Sequence, residues 1–167
     1  SLCLFTLLNI FKLVLFLLGD SDEQRKITID QNLADKFKEI KYLGIVGCKL
    51  TIIDPNSIFS RFKCLKIVDF SNCELEQIPD SLIENEQLIM LTIEDNPIKS
   101  LKNNLDQLKS LKNLEVDKLS ISESSLFNNT NKVKNADLFK LPKGIEKLAL
   151  KSMQFSFIPF DLSECAA

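Results

Sequence analysis

A chain of 167 residues with 45% hydrophobic and 26% charged side chains has the composition of one folded domain with a sizeable core. Its 21 basic and 23 acidic residues leave a formal charge of −2, so no global field favours nucleic acid, and none is expected as a partner. Histidine is absent, which removes the commonest general base, the usual orienter of a Ser or Cys nucleophile and the commonest metal ligand. The five cysteines, Cys3, Cys48, Cys64, Cys73 and Cys165, form no C-x-x-C pair, so zinc-ribbon and thioredoxin chemistry have no support.

Residues 1–18 are nearly all apolar, and the segment from Gly19 to Lys26 is strongly polar. Small residues at Gly19 and Ser21 suit a signal-peptidase site after Ser21, so residues 1–21 read as a signal peptide. Lys12 interrupts the apolar run, and no Met or basic segment precedes it. A membrane anchor is the second reading, at the short limit of a span and with a costly central lysine; a buried cap helix is the third. Membrane contact is expected only through residues 1–18, if these are retained. The missing Met reads as the mark of a fragment.

Residues 22–39 read as an N-terminal cap. Within it, Ile27-Thr-Ile29-Asp-Gln-Asn32 reads as a degenerate strand at the opening of the array that follows, and Ala34–Glu39 returns as a short helical turn.

From residue 40 the chain repeats itself. Ile40-x-x-Leu43-x-Ile45-x-x-Cys48-x-Leu50 is followed by Leu65-x-x-Val68-x-Phe70-x-x-Cys73-x-Leu75 and by Leu88-x-x-Leu91-x-Ile93-x-x-Asn96-x-Ile98. Two more copies read Leu111-x-x-Leu114-x-Val116-x-x-Leu119-x-Ile121 and Ile145-x-x-Leu148-x-Leu150-x-x-Met153-x-Phe155. Starts at 40, 65, 88, 111 and 145 give intervals of 25, 23, 23 and 34 residues. The last is long because a polar stretch of about 120–137 is inserted; it reads as a loop and carries the sequon Asn128-Asn129-Thr130, which makes Asn128 a glycosylation candidate. Ile78-Pro79-x-x-Leu82 and Ile158-Pro159-x-x-Leu162 mark two returning segments.

In each copy the apolar-x-apolar alternation sends one side chain inward and the next outward, which predicts a short strand. The Cys or Asn at the ninth position turns inward after it, where it can bond backbone groups left unpaired by the turn. Cys48 and Cys73 should therefore stack, either as a ladder of free thiols or close enough for a bridge.

This spacing resembles the leucine-rich repeat family over residues 40–162. The resemblance implies an α/β fold: a right-handed solenoid with a curved parallel β-sheet on its concave face and irregular or short helical returns on the convex face. The leucine-rich repeat domain is expected over residues 40–167, with about five repeats. The Lys, Asn, Ile and Phe usage, with Cys at the ninth position, is similar to insect secreted or receptor leucine-rich proteins. What the resemblance implies is a protein-protein recognition module, secreted or displayed at the cell surface, with a role of the innate-immunity or adhesion type. The alternative is a cytoplasmic scaffold or regulatory subunit of the same fold.

Outward strand positions supply the candidate partner-binding residues: Tyr42 in the first copy, Ile67 and Asp69 in the second, and Met90, Thr92, Glu94 and Asp95 in the third. Asn113, Glu115, Asp117 and Lys118 follow in the fourth, and Lys147 and Lys151 in the fifth. With strands about 4.8 Å apart, the carboxylates from Asp69 to Asp117 are expected to form an acidic strip that meets a basic surface on another protein, flanked by a basic end. A fully exposed sheet face offers neither a pocket nor desolvation to separate two pKa values, so no catalytic residue, metal or cofactor is expected. Association through the ends of the repeat array is a further expectation.

Overall fold

The computed structural model describes residues 14–18, 25–99, 105–117, 139–151 and 160–161. In chain order the strands are β1 (Val14–Leu18), β2 (Lys26–Ile29), β3 (Tyr42–Val46), β4 (Lys49–Ile52), β5 (Ile67–Asp69), β6 (Met90–Ile93), β7 (Asn113–Asp117), β8 (Phe139–Lys140), β9 (Lys147–Lys151) and β10 (Phe160–Asp161). Between them lie two short α-helices, α1 (Gln31–Lys36) and α2 (Asp80–Ile83), and 3-10 turns at Ile58–Arg61 and Leu105–Gln107. The chain is thus α/β, with parallel strands and few helices.

The main sheet runs β1-β3-β5-β6-β7-β9, every neighbouring pair parallel. Each of the five aligned copies contributes one strand, and the register pairs equivalent positions: Leu43 with Val68, Val68 with Leu91, Leu91 with Leu114 and Leu114 with Leu148. Just before each strand one carbonyl serves the next copy twice. The Lys41 oxygen accepts from the amides of Lys66 and Ile67, that of Lys66 from Ile89 and Met90, that of Ile89 from Lys112 and Asn113, and that of Lys112 from Glu146 and Lys147.

The inward residues Leu43, Ile45, Val68, Phe70, Leu91, Ile93, Leu114 and Val116 are all buried. They meet the returning segments, where Ile58, Phe59, Phe62, Ile78, Leu82 and Leu105 are buried in the same core. Phe59 lies at the centre of that packing, with ring centroids 5.9 Å from both Phe62 and Phe70. Adjacent returns are also tied by a polar link: the buried Ser81 hydroxyl donates to the Pro55 carbonyl at 2.6 Å and accepts from the Phe59 amide at 3.2 Å. Pro79 precedes α2, where a missing N–H is harmless to the helix that follows.

The N-terminal region adds detail that the sequence did not show. Ile27 and Ile29 lie in a strand, and β2 pairs with β4 in a separate two-stranded sheet, with Ile27 opposite Leu50 and Ile29 opposite Ile52. It therefore matches the tail of the repeat template and not its head. The strand beside β3 in the main sheet is β1, drawn from the apolar run set aside as a leader, with Leu15 opposite Leu43 and Leu17 opposite Ile45. At 14–18 the backbone is extended, where the anchor and cap-helix readings expect helix. An almost wholly apolar run shows no apolar-polar alternation, so this strand has no signature in the sequence.

The helical turn expected at Ala34–Glu39 begins earlier. The Asp30 carboxylate accepts from the Leu33 amide at 2.9 Å and caps α1 at Gln31. Near the other end β8 pairs with β10, and Phe139 and Phe160 pack with centroids 5.7 Å apart. The leader cleavage site, the insertion at 120–137 with Asn128, and Lys118 lie outside the described residues.

Candidate recognition face

Alternation along the main sheet brings the outward residues into rows across the strands. One row runs Tyr42, Ile67, Met90, Asn113 and Lys147, and the next runs Gly44, Asp69, Thr92, Glu115 and Ala149. At the strand ends Asp117 lies opposite Lys151, and Glu94 directly follows Ile93, the partner of Val116. The sheet thus brings the outward strand residues of five copies together on one surface. Tyr42, Ile67, Met90 and Asn113 are half-buried and form its less charged end.

The face is not fully exposed, contrary to expectation. Gly44 and Thr92 are buried, and Asp117 is only 7% exposed. Thr92 sits between Asp69 and Glu115 in the middle of its row and offers its hydroxyl to Glu115 at 3.5 Å. Thr92 has neighbours on both adjacent strands, an enclosure that the sequence of a single strand does not disclose.

The acidic strip and the basic end are also not separate. The Lys147 ammonium pairs with Glu115 one strand away, and the Lys151 ammonium pairs with Glu94 two strands away. Its bond to Glu94 is the main cause holding the Lys151 ammonium above the usual lysine range. Asp69 is engaged locally, with one oxygen accepting from the Ser71 amide at 3.0 Å and from the Ser71 hydroxyl at 2.6 Å. It also faces Tyr42, whose phenol is pushed up first by burial and then by this carboxylate.

Asp95 lies in the turn that follows its strand. Its φ is 53°, matching the equivalent Asn72 at 53° and Gly47 at 68°, each immediately before the ninth position of its copy. These residues make the turn that follows the strand, and Gly, Asn and Asp are the types that tolerate this left-handed backbone. We expect Asp95→Val to be less stable than Asp95→Gly by about 1–2 kcal/mol in urea unfolding; equal stabilities would refute the backbone account.

Beneath the turns runs the inward ladder. The Cys73 thiol donates to the Ile45 carbonyl at 2.9 Å, across to the preceding copy, and the Cys48 thiol approaches the Val46 carbonyl at 3.5 Å. Cys48, Cys64 and Cys73 are free thiols. Burial, the largest cause, pushes the Cys73 thiol up to about 12 from its ordinary 9.0. Because the unfolded chain releases this proton near 9.0 and the folded one near 12, the thiol's contribution to stability is complete below the first value and declines between them. Iodoacetamide at mildly alkaline pH should label the partly exposed Cys64 first and reach Cys48 and Cys73 only on denaturation; labelling of all three at one rate by peptide mass spectrometry would contradict this.

On the returning side an open cleft of about 680 Å³ is lined by Asp106, Lys109, Lys140, Leu141, Lys143 and Asp161. No sequence motif announces it, because its walls come from three separate segments. Its charges are mixed, and Lys109 is held by Glu86 at 2.7 Å. Among the described residues no group of three or more acidic or sulfur side chains is arranged to hold a metal ion. Among them, too, no helix is long and apolar enough to cross a membrane. Compared with known proteins, the chain matches no family model and no curated sequence.

Proposed function

We propose that the chain is a right-handed leucine-rich repeat solenoid that acts by binding another protein through the concave face of its main sheet, not by catalysis. In-register pairing of five aligned copies supports the solenoid, as does the equivalent left-handed turn before Cys48, Cys73 and Asn96. The observation that carries the binding role is the composition of the outward rows. Half-buried Tyr42, Ile67 and Met90 adjoin the carboxylates of Asp69, Glu94 and Glu115 on one continuous sheet surface. Large apolar side chains beside ordered charge are characteristic of a surface that is covered in a complex.

The test is capture of native partners by the immobilised chain, with Ile67→Asp/Met90→Asp as the comparison. Specific capture by the native chain that the double variant loses, while its far-UV spectrum is unchanged, is the expected result. Equal capture by both removes the proposed surface.

The secreted or cell-surface setting follows from the signal-peptide reading, and the cytoplasmic setting is favoured by the free thiols of Cys48, Cys64 and Cys73. Mass spectrometry of the protein from its native source separates them. Loss of residues 1–21 with a glycan on Asn128 supports secretion, and an intact leader with reduced thiols supports the cytoplasm.

A further inference from the structure

We infer that Glu94 and Asp117 form a seat for an arginine side chain of the partner protein, and that Lys151 closes this seat in the free molecule. The inference rests on the recognition face proposed above. Lys151 lies opposite Asp117 in the β7–β9 register, yet its ammonium reaches Glu94, at the end of β6 on the far side of β7. Its aliphatic stem must therefore cross over Asp117.

Asp117 is 7% exposed, and its Oδ1 is buried with no hydrogen-bond partner among the described residues. A buried carboxylate oxygen without a donor is costly, and such an atom on an interaction face marks a place where a donor belongs. A lysine whose ammonium is committed to Glu94 leaves that oxygen unsatisfied. A guanidinium, planar and carrying five donors, can bridge two neighbouring carboxylates and satisfy both.

Displacing the latch is easy, because the Lys151 side chain is 58% exposed and an exposed ion pair contributes little. The field favours a cation: Asp69, Glu94, Glu115 and Asp117 face two lysines, Lys147 and Lys151, so the surface keeps an excess of negative charge. Met90 lies four residues before Glu94, about 13 Å along the strand direction. An extended segment with an apolar residue and an arginine four positions apart therefore matches both ends of the face.

The test is fluorescence anisotropy of the full chain with a labelled synthetic peptide holding leucine and arginine four residues apart, and with its lysine and citrulline counterparts. We expect the arginine peptide to bind about tenfold more tightly than the citrulline peptide and more tightly than the lysine peptide. Lys151→Gln should tighten the arginine peptide by about threefold or more, whereas Glu94→Gln and Asp117→Asn should weaken it about tenfold. Equal affinity for the three peptides, no binding of the arginine peptide, or weaker binding after Lys151→Gln overturns the seat.

The same variants, verified by thermal melting, are then compared in native-partner capture. If Ile67→Asp/Met90→Asp abolishes capture and the three charge variants leave it unchanged, the recognition face stands without the arginine seat. If no variant alters capture, both ideas fall.

Discussion

Replacing Asn96 with alanine should lower the unfolding free energy by about 3–4 kcal/mol, the largest loss expected from a single polar substitution among the described residues. The side chain is 1% exposed and fully engaged. Its amide nitrogen lies 2.7 Å from the Phe70 carbonyl, 3.1 Å from that of Ile93 and 3.0 Å from that of Glu94. Its oxygen accepts from the amides of Cys73 at 2.9 Å and Leu75 at 3.0 Å. Truncation strands backbone groups from two successive copies in a place that water does not reach, and each costs about 1–3 kcal/mol before the turn relaxes. Urea unfolding followed by far-UV circular dichroism measures the loss. Asn96→Cys should recover part of it, because a thiol can donate to a carbonyl as Cys73 does, but it is a poor acceptor for two amides. A midpoint for Asn96→Ala within error of the native one would mean that the turn is held by other contacts.

Phe59→Ala is expected to cost about 3–5 kcal/mol, the range for removing a buried aromatic ring. Phe59 has no exposed surface, and it joins the returning layer to the sheet through Phe70 and to its own 3-10 turn through Phe62. The cavity cannot close easily, since the Phe59 amide is itself fixed by Ser81 from the next return. Phe59→Leu keeps most of the volume and should cost less than about 1.5 kcal/mol. The contrast between the two variants in guanidinium unfolding is the measurement. Similar losses would indicate that ring geometry, and not the filling of space, sets the cost.

Much of the main sheet was legible because its burial is periodic. Leu43 and Ile45, Val68 and Phe70, Leu91 and Ile93, and Leu114 and Val116 are all inward and buried, as their spacing requires. Legibility failed where the sequence shows no alternation, as at Leu15 and Leu17 within an apolar run, and where the same alternation served another sheet, as at Ile27 and Ile29. For the candidate face, the sequence placed Tyr42, Ile67, Met90 and the carboxylates on one side of the sheet. It could not foresee that Lys151 would reach Glu94 across 57 residues, nor that Asp117 would be buried between them. Such pairings depend on strand order and side-chain length together, and neither is written in a local pattern. At Asp95 the sequence shows a charge, while the left-handed backbone that also suits its residue type appears only in the structure.

The doubled acceptance by Lys41, Lys66, Ile89 and Lys112 has a bearing on how this chain can change in length. Each of these carbonyls meets the same two amides of the following copy, so any complete copy presents its neighbour with the same pair of donors. Excising residues 65–87, one whole interval, would set the Lys41 oxygen against the amides of Ile89 and Met90 and bring Asn96 under the turn that ends in Cys48. Deleting a single residue from within a strand would turn the inward residues beyond it to the outside. The ladder therefore acts as a ruler: insertions can swell a connection, as the 34-residue interval between the last two starts does, but the sheet itself can grow or shrink only by whole rungs.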